Sequence, residues 1–263
     1  MNRKINNFLS AQFGIDFGRF GRAFVALPKF LLDLNKFRQD CNQPIIIKPC
    51  LHDSKEEGGM AKGEYFWQDL YIARKIFLAR PEKHVDIGSR FDGFVAHVAS
   101  YREIEVIDIR PIQAVIPGVT FRRMDMMSGG QALQNYCDSV SCLHALEHFG
   151  LGRYGDPLDA EGHVKGLLNL VRLLKLSGRL YLSVPIGVER VEFNANRVLC
   201  PERLLRLAEK MGLRLDSLGW IAPGGAVSES NDPQADILRL KKMHYALGIF
   251  IFTKLTEPIS LGN

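Results

Sequence analysis

The stretch from Lys83 to Pro111, KHVDIGSRFDGFVAHVASYREIEVIDIRP, constrains the fold more than any other part of the 263-residue chain. A short apolar run, HVDI, meets Gly88; a helix-compatible segment, FVAHVASY, follows; a second apolar run, EIEVID, ends on Asp108. A strand, a glycine turn, a helix and a second strand closed by an acid about twenty residues on is the layout that holds a nucleoside in an open α/β sheet. Gly88 lets the backbone turn sharply and approach a ligand. Asp108 at a strand tip offers an acceptor to two ribose hydroxyls, which are donors. The same layout also occurs in α/β proteins that hold no ligand, so the rest of the chain has to decide.

Bulk properties narrow the class. Hydrophobic content of 46% and charged content of 24% are ordinary for a globular protein, and 263 residues suffice for one large domain with an appendage. No apolar run reaches membrane-spanning length, and Met1 to Ser10 lacks a signal-peptide core, so a cytoplasmic location is expected. Five cysteines without regular spacing do not make a disulfide framework. The net charge of +5 is spread along the chain, and nucleic acid is not expected as a partner.

Along the chain, Asn7 to Arg38 mixes Phe and Leu with Arg and Lys, while glycines at 14, 18 and 21 and Pro28 argue against a single helix. This segment reads as a helical or irregular extension. It packs on the core or on a second subunit of a homodimer, or lies as a basic amphipathic piece on a membrane surface. Pro44 to Leu51 is compatible with a short strand and His52 to Gly63 with a loop. Glu64 to Arg80 is expected to be a helix stopped by Pro81, with Tyr65, Gln68 and Asp69 within reach of a ligand. Further strands are expected at Val119–Asp125, Ser139–His144, Arg179–Val184, Leu213–Trp220 and Tyr245–Lys254. Helices are expected from Asp159 to about Leu176 and from Pro201 to Met211, with Ala222 to Asp236 a loop. Strands alternating with helices, then two closing strands with no helix between them, imply a doubly wound, mostly parallel sheet with one antiparallel member.

These residues resemble a known family. DIG at 86–88, Asp108, MDM at 124–126, SCLHALEHFG at 141–150, LLKLSGRLYLSVP at 173–185 and the closing strand pair are similar to the successive motifs of class I S-adenosylmethionine-dependent methyltransferases. More narrowly, YFWQDL, HVDIGSRFDGFVAHVAS, CLHALEHFGLGRYGDP and EFNANRV resemble the group catalogued as domain of unknown function 268. The resemblance implies a Rossmann-like methyltransferase domain over 64–257, between an extension over 1–63 and a tail over 258–263. It also implies a seven-stranded sheet whose last strand is antiparallel, and S-adenosylmethionine as cofactor.

Carried over by position, Asp86 and Gly88 match the first acid and first glycine of the cofactor loop, with Ser89 and Arg90 following. Asp108 matches the ribose acid with Ile109 beside it, and Asp125 and Met126 match the adenine-holding pair. The loop departs from the family pattern, since Arg90 and Asp92 stand where further glycines are usual and Gly93 comes one step late. Arg90 either pairs with the cofactor's carboxylate or fills the cavity. The second outcome would leave a non-catalytic scaffold or binding protein of the same fold. A nicotinamide dehydrogenase is a third reading, opposed by the missing GxGxxG.

Methyl transfer from a sulfonium needs an aligned acceptor, and a hydroxyl acceptor also needs its proton removed. His144, Glu147 and His148 supply candidate groups where the acceptor is expected, with Glu147 or Asp156 orienting an imidazole. The glycine-rich loop GLGRYGDP at 150–157 contributes Arg153, Tyr154 and Asp156 as acceptor contacts. After the fifth strand, Glu192, Asn194, Asn196 and Arg197 stand at the same rim. Amides, carboxylates and an aromatic suit a polyhydroxylated ligand, so a sugar or glycan hydroxyl is the leading acceptor. The group's association with surface-polysaccharide synthesis adds an analogy. Cys137, Cys142, His144 and His148 match no usual zinc spacing, and no metal is expected.

Overall fold

The computed structural model describes residues 17–51, 61–128 and 133–258. The parts of the amino-terminal reading over 7–16, of the loop reading over 52–60 and of the tail reading over 259–263 lie outside them. Contacts divide the chain into two units, 1–60 and 61–263.

In the first unit, α1 (Phe17–Asp40) is one continuous helix running through Pro28. This corrects the expectation that glycine and proline would break the segment. A proline removes one bond of the ladder, and the chain on either side keeps the rest. No residue of α1 is buried; Phe20 and Phe24 are each 74% exposed, and Arg22, Lys29 and Lys36 recur at seven-residue spacing. Pro44 to Leu51 is extended chain without strand pairing. Contact of α1 with a membrane surface requires that the chain float with anionic vesicles, and that Phe20→Glu with Phe24→Glu abolish the bound fraction. Flotation of neither protein, or of both equally, contradicts it. No helix among the described residues is long and apolar enough to cross a membrane.

The second unit is an α/β domain. Helix α2 (Glu64–Ala79) leads into strand β1 (His84–Ile87). Helix α3 follows as a π-helical turn (Phe91–Val95) and an α-helical turn (Ala96–Ala99). Then come β2 (Ile104–Asp108), β3 (Val119–Arg123), β4 (Cys137–Leu143), α4 (Gly162–Leu173) and β5 (Leu174–Ile186). A two-stranded hairpin, β6 (Arg190–Glu192) and β7 (Asn196–Val198), precedes α5 (Pro201–Lys210) and β8 (Leu213–Ile221). The chain closes with β9 (Val227–Glu229), α6 (Pro233–Leu240) and β10 (Ala246–Lys254).

The sheet order is β3-β2-β1-β4-β5-β10-β8-β9. Strands β1 to β5 pair in parallel, and β10 runs antiparallel between β5 and β8. Every residue of β1 and β2 is buried, the pattern of strands covered on both faces. Two cores result: one of Val140, Leu170, Leu182 and Phe250, the other of Ile72, Phe94, Val106 and Tyr181. The order reverses at β1, between β2 and β4, and there an open α/β sheet leaves its crevice.

Three expectations are corrected. The sheet has eight strands rather than seven, because β9 pairs antiparallel with β8 inside the stretch read as a loop. A helix, α6, separates the closing strands: Asp232 caps it by accepting from the Ala235 N–H at 3.1 Å, and Pro233 fits its first turn. Asp159 is not the first cap of α4 either. It accepts from the Glu161 N–H at 2.9 Å in the turn before the helix begins.

Candidate active site

The turn after β1 is braced from within the sheet. Parallel register sets His84 opposite Ser139 and Asp86 opposite Ser141, and alternation turns these polar side chains to one face. His84 bonds the Ser139 and Ser141 hydroxyls at 2.8 and 3.1 Å; burial drives its pKa down to about 3, so the ring is neutral. Asp86 accepts from Ser141 Oγ at 2.5 Å, Ser89 Oγ at 2.8 Å and the Ser89 N–H at 3.0 Å. Full burial nevertheless pushes Asp86 up to about 7, against those hydrogen bonds. Asp86 and Ser89 are therefore fixtures of the turn and are not among the residues lining the cleft.

Gly88 takes φ +75°, and a Cβ there would sit 2.9 Å from the Ala145 Cβ. The turn thus needs glycine for both its backbone angle and the close approach of β4. Gly93 has a separate cause, because a side chain there would strike the Asp69 carboxylate of α2. Asp69 and Gln68 are buried, and Ser183 Oγ donates to Gln68 Oε1, so neither is a ligand contact.

A cleft of about 470 Å³ opens above the ends of β1 to β5. Gly88, Asp108, Ile109, Asp125 and Met126 line one part; Tyr65, His144, Glu147, His148, Tyr154 and Asn196 line another. Arg90 stands at the rim, its side chain 60% exposed and paired with Asp92 at 2.6 Å, with Tyr65 beneath it at 5.7 Å. It does not fill the hollow. Asp125 accepts from the Met127 N–H at 2.8 Å and lies 3.3 Å from Ser128 Oγ. Asp108 is held by Arg110, through the backbone N–H at 2.8 Å and Nη2 at 2.5 Å.

The other part of the cleft is built on the segment after β4. His144 has φ +53°, and its Nδ1 lies 2.7 Å from Glu147 Oε1. Nε2 stands 3.3 Å from Glu64 Oε1, an ion-pair distance without hydrogen-bond alignment. Burial opposes charge on this ring, but the two carboxylates outweigh it and raise the pKa to about 9. The two carboxylates thus favour the imidazolium form of His144. Glu147 is fully buried, and its Oε2 has no hydrogen-bond partner among the described residues.

His148 is built differently. Its Nδ1 lies 2.7 Å from the Ala195 carbonyl, which only accepts, so Nδ1 carries the hydrogen and Nε2 keeps a lone pair. Burial, helped by Arg153 and opposed by Glu147, lowers its pKa, so the neutral form prevails. Tyr154 meets the His148 ring edge-on at 5.6 Å.

The other expected contacts divide. Arg153, Tyr154, Asp156 and Asn196 line the cleft; Glu192, Asn194 and Arg197 do not. Asp156 is spent on its own loop, accepting from the N–H groups of Gly150, Gly152 and Tyr154. Arg197 is buried and donates to four carbonyls, those of Glu147, Phe149, Asp159 and Ala160, at 2.6–3.3 Å. Glu192 pairs with Arg190 at 2.7 Å, and Asn194 is exposed on the hairpin. Cys137 and Cys142, weighed as ligands, are buried in β4, where burial pushes both thiols up.

Three polar lining residues escaped the sequence reading. Glu64 and Tyr245 meet through a 2.7 Å hydrogen bond from the Tyr245 hydroxyl to Glu64 Oε2, beside His144. Arg110 is the third, and its only sequence signal is its place two residues beyond Asp108.

The family described as Caenorhabditis protein of unknown function, DUF268, matches residues 118–222, less than half of the chain. No curated protein matches. Among solved structures, a protein from Galdieria sulphuraria assigned as a sarcosine dimethylglycine methyltransferase superposes with a TM-score of 0.50 at 14% identity, covering 72% of this chain and 86% of that one. An S-adenosylmethionine-dependent methyltransferase from Archaeoglobus fulgidus gives 0.49 at 15% identity, with coverages of 71% and 94%. The 1,6-didemethyltoxoflavin N1-methyltransferase of Burkholderia thailandensis, with bound S-adenosylhomocysteine, gives 0.47 at 15% identity, with coverages of 72% and 79%. The fold is that of the class I methyltransferases.

Proposed function

We propose that this chain, which carries the class I methyltransferase fold, is an S-adenosylmethionine-dependent methyltransferase acting on a hydroxyl of a sugar, glycan or other small polar acceptor. One observation carries the reading: His148, whose Nδ1 is held by the Ala195 carbonyl so that Nε2, 3.8 Å from Glu147 Oε1, keeps its lone pair, lies in the same cleft as the Gly88 turn and the acid Asp108. The residues fit the cofactor. Gly88 turns the chain at the cleft wall with φ +75°, Asp108 ends β2 where ribose hydroxyls need an acceptor, and Met126 offers an apolar wall.

When bound, S-adenosylmethionine supplies an electrophilic methyl group. The chain's own task is alignment and proton removal. Tyr65, Tyr154 and Asn196 line the acceptor end with aromatic faces and an amide, groups suited to a hydroxylated ring. His148 Nε2 takes the hydroxyl proton, and the Ala195 carbonyl holds the ring in the productive tautomer. The His144 imidazolium keeps Glu64 and Glu147 in place, and Asp156 holds the loop that presents Arg153 and Tyr154. The scaffold reading loses the support it drew from Arg90, which lies exposed at the rim.

The test is calorimetry with S-adenosylhomocysteine, followed by a mass-spectrometric screen of nucleotide sugars and glycans for methylated products. Binding is expected, and methylation of at least one hydroxylated acceptor. Folded protein that gives no heat and no product removes the reading.

A further inference from the structure

Arg110 lies across the carboxylate that the nucleoside reading assigns to a ligand. Asp108 accepts from the Arg110 backbone N–H at 2.8 Å, from Nε at 3.1 Å to each oxygen and from Nη2 at 2.5 Å. A carboxylate has about four lone-pair positions, and these contacts use them. Nη2 also stands 3.3 Å from the Gly88 carbonyl, and the guanidinium carbon lies 4.5 Å from the Tyr154 ring centre. One side chain therefore ties the turn after β1, the tip of β2 and the loop after β4. It is 41% exposed, so it has room to leave.

Resting on the reading of the cleft as a nucleoside site, we propose that Arg110 is the residue that sets ligand selection there, as an internal competitor for Asp108 that only a vicinal diol displaces. A guanidinium fork on a carboxylate is a charge-assisted, bidentate contact. The two hydroxyls of a ribose return two hydrogen bonds to the same charged acceptor, so the exchange is close to balanced. A ligand without them gains nothing by opening the fork and binds, if at all, without reaching Asp108. Released from Asp108, the guanidinium keeps the Tyr154 face and stays over the entrance. A group that merely touched the ligand would add affinity. A competitor subtracts it, since apparent affinity falls by the fraction of molecules in which the site is open.

The experiment is calorimetry on wild type, Arg110→Ala and Arg110→Lys with three probes. S-adenosylhomocysteine and adenosine carry the diol; 2′,3′-dideoxyadenosine does not. If about nine molecules in ten hold the fork closed, Arg110→Ala binds the two diol ligands about tenfold more tightly than wild type. Arg110→Lys falls between, and the dideoxy ligand is unchanged across the series. Thermal melting of the unliganded proteins shows that each variant folds; should Arg110→Ala not fold, Arg110→Lys must still shift toward tighter binding. Diol ligands bound equally or more weakly by the variants overturn the competitor and leave the nucleoside site standing. Failure of every folded protein to bind any of the three removes the nucleoside site and the competitor with it.

Discussion

Glu147→Gln is expected to lower folding stability at pH 7 by about 2 to 3 kcal/mol and to flatten its decline at higher pH. In the folded protein His144 titrates at about 9 against an ordinary value of 6.5. A raised pKa means that the folded state binds the proton more tightly. The stabilisation is therefore complete below pH 6.5 and is lost as pH rises through 9. A shift of that size corresponds to about 3 kcal/mol, and Glu147, the hydrogen-bonded partner at 2.7 Å, supplies the larger part. Glutamine still accepts from Nδ1–H but carries no charge, and Glu64 alone remains to oppose burial. Asp86 is also raised, to about 7, but its window runs from 3.8 upward and is common to both proteins. The difference between two urea-denaturation series across pH 6 to 10 isolates His144. Parallel curves would show that the imidazole is not charged by Glu147.

His148→Ala is expected to lower kcat for a hydroxyl acceptor by about 10² to 10⁴ with a much smaller change in KM, the range a positioned general base contributes. The wild-type rate should rise with pH along a limb below the ordinary histidine range, because burial lowers the His148 pKa. The variant should lack that limb. His144→Ala, by contrast, should change stability and its pH dependence. A His148 variant that retains wild-type kcat, with S-adenosylhomocysteine affinity intact, would remove the base assignment and leave the cofactor site in place.

Much of the β1–β2 end of the cleft was legible because it is local. β1, Gly88 and β2 fall within one short stretch, and the continuous apolar runs HVDI and IEVID mark buried parallel strands. The end around His144 was less so. Glu64 and Tyr245 are 181 positions apart and meet only because α2 and β10 converge on His144. Histidine, aspartate and arginine also have one appearance in sequence and several roles in space. His144 and His148 lie four residues apart, yet two carboxylates outweigh burial at His144 while burial prevails at His148, which sends their pKa values in opposite directions. Arg197 resembled a ligand contact and lies outside the cleft, donating to backbone carbonyls, while Asp156 lines the cleft with its carboxylate bonded to its own loop. At the termini of the reading, Pro28 was given too much weight as a breaker and Asp232-Pro233 too little as a helix start.

The ties between the hairpin and the segment after β4 run both ways. Arg197 donates from β7 to four carbonyls of that segment, while His148 Nδ1 and Arg153 Nη1 both reach back to the Ala195 carbonyl. The two stretches are therefore one interchangeable cassette. A chimera that borrows residues 190–198 alone leaves buried carbonyls without donors and His148 without its anchor. If the proposed function holds, a new acceptor range requires transplanting 144–160 together with the hairpin.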